Sequence, residues 1–251
     1  VNLPKSNVGI GHTRWATHGN VTEINAHPHS DCAKNIWVAH NGIIENYRTI
    51  KSTLIKGGHK FESETDTEII PHLIEEIIRR NTKLPLEDAV RVALNKLQGA
   101  YAIVIINKAE DNKLIAVRYF SPLIIGLGEN GYIVASDPTA AISFTKRIVY
   151  LKDGEMASLT TNGIKILDPL KRNIRLRPQK IDWGIERLEK NNFPHFMLKE
   201  IFEAPQVLEN TFRGRLKIKE KIIKLGGLET VKNELAQTER LKIIACGTSF
   251  Y

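Results

Sequence analysis

From Gly99 onward the sequence breaks into short apolar runs at intervals of about ten residues, and no other feature restricts the fold so strongly. The runs occupy residues 100–106, 114–119, 123–126, 132–135, 148–151, 156–159 and 164–167. Asp153-Gly154, Asn162-Gly163 and Gly128-Glu129-Asn130-Gly131 join several of them, and such connections close antiparallel hairpins. Upstream the period changes. Ile43, Ile44, Tyr47, Ile50, Leu54 and Ile55 recur at helical spacing over 43–56, and Gly57-Gly58 ends that pattern. Residues 63–68 read as a helix start, with Thr65 and Glu68 spaced as a capping box ahead of Ile69, Leu73, Ile74, Ile77 and Ile78. A further helix is expected over 86–97, and β-type runs over 8–15 and 35–40. Helices grouped together and strands grouped together predict an α+β fold, because a parallel sheet requires alternation of the two.

Residues 168–195, with Pro169, Pro178 and Pro194, read as a connector, after which helical spacing returns over 196–213 and 217–239. Residues 241–246 read as a short buried strand and Gly247-Thr248-Ser249 as a turn that opens something new. A sequence that starts at Val1 and stops just past such a strand is expected to be a piece of a longer protein. No run of about 18 apolar residues is present, nor a charged start followed by an apolar stretch, so neither a membrane partner nor a secretory leader is expected. Two cysteines, Cys32 and Cys246, make no disulfide framework, and the reducing cytoplasm is the expected location. The net charge of +8 sits mostly in residues 165–251. Its densest stretch, Lys171-Arg172-Asn173-Ile174-Arg175-Leu176-Arg177, lacks the aromatics that stack on bases, and no nucleic-acid partner is expected.

Several motifs invite a chemical reading. Gly126-Leu127-Gly128-Glu129-Asn130-Gly131 fits the dinucleotide pattern G-x-G-x-x-G, but a strand follows it instead of the helix that would hold a pyrophosphate, so a hairpin turn is expected. His12, His18, His27, His29 and His40 crowd together with Asp31 and Cys32, yet neither H-x₃-H nor C-x-x-C occurs. They are expected to line a polar site or to be structural, with no metal and no cofactor, and Cys32 to be a passive thiol. Three segments carry more. Arg14, in Thr13-Arg14-Trp15-Ala16-Thr17-His18-Gly19, is the side chain that grips a carboxylate by two prongs. His40-Asn41-Gly42, expected where a strand ends and a helix opens, offers a side-chain amide and a glycine N–H to an oxyanion. Asp66, expected in a first helical turn, could hold an ammonium, or could merely complement the helix dipole. Together they fit an α-amino acid with a reacting side-chain amide.

The segments Gly11-His12-Thr13-Arg14-Trp15-Ala16-Thr17-His18-Gly19, Asn25-Ala26-His27-Pro28-His29, His40-Asn41-Gly42-Ile43-Ile44-Glu45-Asn46 and Ser63-Glu64-Thr65-Asp66-Thr67-Glu68 resemble the class II glutaminase domain of the glucosamine-6-phosphate synthase family. Ser121-Pro122-Leu123, Ala135-Ser136-Asp137, His195-Phe196-Met197-Leu198-Lys199-Glu200-Ile201 and Cys246-Gly247-Thr248-Ser249 extend that resemblance to the end of the chain. It implies an Ntn-hydrolase αββα sandwich of four layers over 1–188, lacking its N-terminal segment. An interdomain junction and the helices and first strand of an α/β sugar-isomerase domain would follow over 189–251. It implies transfer of ammonia from L-glutamine to fructose 6-phosphate, giving glucosamine 6-phosphate and glutamate, in a homodimer formed through the sugar-isomerase domain. By that resemblance Arg14 clamps the glutamine carboxylate, Asp66 its amino group, Thr17 and His18 line the pocket, and Asn41 with Gly42 forms the oxyanion hole. Trp15 lies in a loop that gates ammonia, and Thr248 and Ser249 meet the sugar phosphate. The family's nucleophile is an N-terminal Cys, to which neither Cys32 nor Cys246 corresponds, so this piece alone is expected to be inactive. Another class II amidotransferase, or a catalytically dead glutamine-binding or regulatory module, remains as an alternative.

Overall fold

The computed structural model describes residues 6–14, 18–181, 190, 193–217, 221–223 and 227–244. The chain divides into two compact units, Val1–Leu188 and Glu189–Tyr251.

In the first unit the elements run β1 (His29–Ser30), β2 (Ile36–Ile44), α1 (Tyr47–Lys56), α2 (Ile69–Arg80), α3 (Leu86–Leu94), β3 (Gly99–Asn107), β4 (Lys113–Tyr119), β5 (Ile124–Leu127), β6 (Tyr132–Ala135), β7 (Arg147–Tyr150), β8 (Met156–Thr160), β9 (Gly163–Leu167), β10 (Asn173–Ile174) and β11 (Gln179–Lys180). One antiparallel sheet has the order β1-β2-β3-β4-β8-β9-β10 and a second the order β11-β7-β5-β6. The fold is α+β, as the grouping of periods predicts.

Alternation along the strands builds the layers. Ile103, Ile105, Ile115 and Val117 face α1, α2 and α3 and pack on Leu54, Ile70, Leu73, Ile74, Leu86 and Val90. Ala102, Ala116, Ala157 and Leu159, from the other face of the same sheet, pack on Ile125, Leu127 and Val149 of the smaller sheet and on Leu151 just past it. Small residues on one side of this inner seam let the sheets approach closely. In α2 alone, Ile69, Ile70, Leu73, Ile74 and Ile77 are buried, each worth about 1.5–3 kcal/mol against exposure. The outer face of the smaller sheet is covered by Ala141, Ile142 and Ile181 around a short 3₁₀ turn at Pro138–Ala140. Among the described residues the layers are therefore helices, sheet and sheet, and the fourth, helical layer of the expected sandwich is absent.

Several boundaries differ from the sequence reading. Residues 8–14 form no strand. Ile43 and Ile44, although at helical spacing, belong to β2, where they pair with Ala100 and Gly99. α2 starts at Ile69, so Asp66 precedes the helix, and Glu68 does not close a capping box. Its carboxylate turns back instead and accepts the N–H groups of Glu62 and Ser63, each at 2.7 Å. Those bonds and the neighbouring His72 outweigh the effect of burial and hold Glu68 down to about 2. The Gly128–Gly131 segment is the β5–β6 hairpin turn, closed by Gly128 N–H to Gly131 O at 3.0 Å.

In the second unit α4 (Phe196–Phe212) forms where expected, but 217–239 is not one helix. It contains β12 (Leu216–Lys217), β13 (Ile222–Ile223) and α5 (Lys232–Ala236). Residues 241–244 form no strand: Ile243 and Ile244 are exposed, and no strand among the described residues pairs with them. No helix among the described residues is long and apolar enough to cross a membrane.

Candidate active site

Near its C-terminal end β2 presents His40, Asn41 and Gly42 opposite Ile103, Ala102 and Tyr101 of β3. Gly42 has φ +129°, and a Cβ there would stand 2.0 Å from Ala100 O. Only glycine permits this approach of the two backbones. Gly99 across the pair is its counterpart, with φ +122° and a Cβ position 2.1 Å from Ile43 O.

The Asn41 amide is oriented by His12. The backbone N–H of Arg14 donates to His12 Nδ1 at 2.8 Å, which makes Nδ1 the acceptor and puts the ring proton on Nε2. Nε2 faces Asn41 Oδ1 and donates to it. Asn41 Nδ2 is thereby left as a donor, the polarity an oxyanion requires.

Arg14 has φ +52°. Its guanidinium is bound by carbonyl oxygens of the loop that follows it: Nη1 to Asn20 O at 2.9 Å, and Nη2 to His18 O at 3.1 Å and Gly19 O at 3.2 Å. Two of its five N–H donors keep no partner among the described residues. The loop is braced in turn by Glu64, which accepts from Asn20 N and from Asn25 Nδ2, each at 3.2 Å. Buried Asn25 closes the brace by accepting Glu64 N–H at 2.9 Å.

Asp66 is buried and accepts the Ile44 N–H at 2.7 Å, tying the end of β2 to the approach to α2. Next to it Thr67 Oγ1 pairs with His40 Nδ1 at 2.8 Å, and Thr65 Oγ1 with His29 Nε2 at 3.0 Å. His12, His27 and His29 follow one another at ring separations of 4.5 and 5.0 Å. Burial, reinforced by His12, His29, His40 and Arg14, pushes His27 down to about 3. Burial likewise pushes His40 down to about 4, against the opposing pull of Asp66. Both rings are neutral at pH 7.

Arg14, His18, Asn41, Gly42 and Asp66 converge on one cavity of about 250 Å³, together with His12, His27, His40, Thr65 and Thr67. That is just under the roughly 300–1,000 Å³ of small-molecule sites, a scale suited to a single amino acid. Trp15 and Thr17 lie outside the described residues, as do Cys246, Thr248 and Ser249. Cys32 is not in the cavity; it lines a separate cleft. The sequence reading passed over the roles of His12, Asn25 and Glu64, which act by bracing, since nothing in their spacing distinguishes a brace from a surface residue.

Residues 12–143 match the model of the glutamine amidotransferase domain. The chain is 44% identical over 246 residues to the isomerizing glutamine–fructose-6-phosphate aminotransferase of Chlorobaculum tepidum, covering 97% of this chain and 40% of that one. It is 44% identical over 244 residues to the enzyme of the same name from Thermus thermophilus, covering 97% and 39%. The chain thus spans about 40% of the length of the curated relatives it matches. Among solved structures it is similar to a glutamine phosphoribosylpyrophosphate amidotransferase from B. subtilis complexed with ADP and GMP, with TM-score 0.52 and 28% identity, covering 65% of this chain and 35% of that one. A match across more than half of its residues, with the bracing residues and the convergent cavity inside that span, makes this chain a member of the glutamine amidotransferase domain family.

Proposed function

We propose that the full-length protein releases ammonia from L-glutamine in the cavity around Arg14 and Asp66 and delivers it to fructose 6-phosphate, forming glucosamine 6-phosphate and glutamate. The observation that carries this reading is the convergence of a cation, a buried carboxylate and an oriented amide on one small cavity. The two unspent N–H donors of Arg14 take the α-carboxylate, and Asp66 takes the α-ammonium. The side-chain carbonyl then lies toward β2, where Asn41 Nδ2 and the Gly42 N–H receive the oxygen as it becomes an oxyanion. An N-terminal cysteine of the full-length protein supplies the attacking thiolate and its own α-amino group the base. Collapse of the tetrahedral intermediate expels ammonia and leaves a thioester, which water hydrolyses to glutamate. Thr17 and His18 complete the wall of the glutamine pocket, and Trp15 gates the exit of ammonia.

The acceptor half rests on the names of the curated relatives. In this reading residues 1–188 belong to an Ntn-hydrolase αββα domain, of which the described residues supply the helix, sheet and sheet layers, and 189–251 begin a sugar-isomerase domain. Thr248 and Ser249 meet the sugar phosphate there, and two copies associate through that domain in the cytoplasm. The test is to express the full-length gene and follow glucosamine 6-phosphate from fructose 6-phosphate with glutamine and with ammonium salts. Glutamine-dependent product, with a glutamine KM raised steeply by Arg14→Ala, is the expected result. Glutamine hydrolysis with no amination of fructose 6-phosphate from either nitrogen source overturns the acceptor assignment, and an unchanged KM removes Arg14 from the site.

A further inference from the structure

Away from the cavity, the turn after β1, the segment after α1 and the body of α2 bring four ligand-type atoms together. Cys32 Sγ lies 3.4 Å from His72 Nδ1 and 3.8 Å from His59 Nδ1. The two Nδ1 atoms are 3.3 Å apart. Glu75 Oε2 stands 3.1 Å from His59 Nδ1 and 3.5 Å from His72 Nδ1. All four ligand atoms lie within 4.8 Å of one another. A tetrahedral zinc ion with bonds of about 2.0–2.3 Å separates its ligand atoms by about 3.3–3.8 Å. Five of the six separations run from just under that range, at 3.1 Å, to its upper end, at 3.8 Å, and the sixth, from Cys32 Sγ to Glu75 Oε2, lies within 4.8 Å.

Proton accounting points the same way. His59 Nε2 contacts Glu76 Oε2 at 3.3 Å, and His72 Nε2, buried and without a hydrogen bond, lies 3.6 Å from Glu68 Oε1. Glu76 holds the His59 ring proton on Nε2, as the outer partner of a metal-bound imidazole does, and the charge of Glu68 favours the same tautomer of His72. Both Nδ1 atoms are then acceptors, turned toward each other and toward an acceptor carboxylate oxygen. Glu75 Oε2 also accepts the Cys32 backbone N–H at 3.3 Å, whereas the two Nδ1 atoms have the single Cys32 thiol proton between them. A cation at the centre satisfies all of them at once.

We propose that Cys32, His59, His72 and Glu75 bind one zinc ion in a closed, structural site, independent of the reaction proposed above. A thiolate, two imidazoles and one carboxylate suit zinc better than the hard cations magnesium and calcium, which take oxygen ligands. Four protein ligands leave no open position for substrate, so the ion acts as a clip between the β1–β2 turn and α2. Entry is from the surface, because Cys32 is exposed beside a cleft that Lys60 and Glu62 also line. Binding costs Cys32 its thiol proton, which goes to solvent, while the imidazoles bind neutral.

The test uses the full-length protein with zinc and then cobalt as probes. About one zinc is expected to survive dialysis, and cobalt replacement is expected to give intense tetrahedral visible bands with a sulfur-to-cobalt charge-transfer band in the near ultraviolet. Cys32→Ser is expected to abolish the charge-transfer band, and His72→Ala to lose the metal. Should those variants fail to fold, the unaltered protein still decides: Cys32 is expected to react with a thiol reagent only after chelation. Less than about a tenth of an equivalent of zinc after supplementation, or a cobalt form without the sulfur band, overturns the proposal.

Discussion

His12 Nε2 donates to Asn41 Oδ1, while His12 Nδ1 accepts the Arg14 N–H at 2.8 Å. One imidazole thus sets which end of the amide faces the cavity. Loss of an oxyanion donor costs about 10²–10³ in kcat. Asn41→Ala in the full-length enzyme is expected to lose that much glutaminase turnover with little change in glutamine KM. His12→Phe is expected to lose kcat in the same direction by less, since the amide then samples both orientations. A His12→Phe enzyme with wild-type kcat would show that the amide is oriented by something else.

The role proposed for Arg14 is in binding. Removing a charge-assisted pair costs about 1.5–3 kcal/mol, or roughly 10- to 150-fold, if its partner is left unsatisfied. Arg14→Ala is expected to raise the glutamine KM by that factor, and Arg14→Lys to recover little of it, because an ammonium cannot both hold the loop carbonyls and grip a carboxylate by two prongs. Equal KM values for Arg14→Lys and the unaltered enzyme would contradict the two-pronged grip.

The neutral histidines give stability a pH dependence whose sign is fixed. His27 falls to about 3 and His40 to about 4 in the folded chain, against about 6.5 when unfolded. Below about pH 6.5 the unfolded state therefore binds more protons, so stability is fully present above that pH and is lost as pH falls toward the folded values. His27→Asn is expected to shallow the fall of Tm between about pH 7 and pH 5. Parallel Tm profiles for variant and wild type would exclude His27 as a source of the slope.

Two backbone and core positions make simpler predictions. Gly42→Ala places a Cβ 2.0 Å from Ala100 O, so the strands must part, and a loss of more than about 3 kcal/mol is expected in denaturant unfolding. Ile74→Ala, at a fully buried site on α2, is expected to cost about 2–5 kcal/mol. A change under about 1 kcal/mol at either position would contradict the packing described.

Much of this was legible in the sequence where local chemistry decides. β6 falls where its apolar run predicts, β3–β5 and β7–β9 fall within a residue at each end, and glycine turns mark the hairpins. Failures occur where tertiary contacts override local spacing. Ile43 and Ile44 read as helical, but pairing with β3 carries them into the sheet. Thr65 and Glu68 have capping-box spacing, yet the Glu68 carboxylate finds the Glu62 and Ser63 N–H groups first. In the site, Arg14, Asn41, Gly42 and Asp66 stood out as residue types in motifs. The Cys32, His59, His72 and Glu75 group did not, because steps of 27 and 13 residues match no short metal motif and only the turn after β1, the turn after α1 and α2 bring them together.

The Glu64–Asn25 brace has one more consequence. Asn20, six residues beyond Arg14, and Asp66, two residues past Glu64, hang from one bridge between the Glu64 carboxylate and the buried Asn25 amide. The span between the cationic and anionic ends of the cavity is thus a property of the empty protein. With glutamine bound as proposed, the cavity would act as a fixed gauge, and ligands whose amino and carboxyl groups are set farther apart, as in β-amino acids, are expected to be rejected on length.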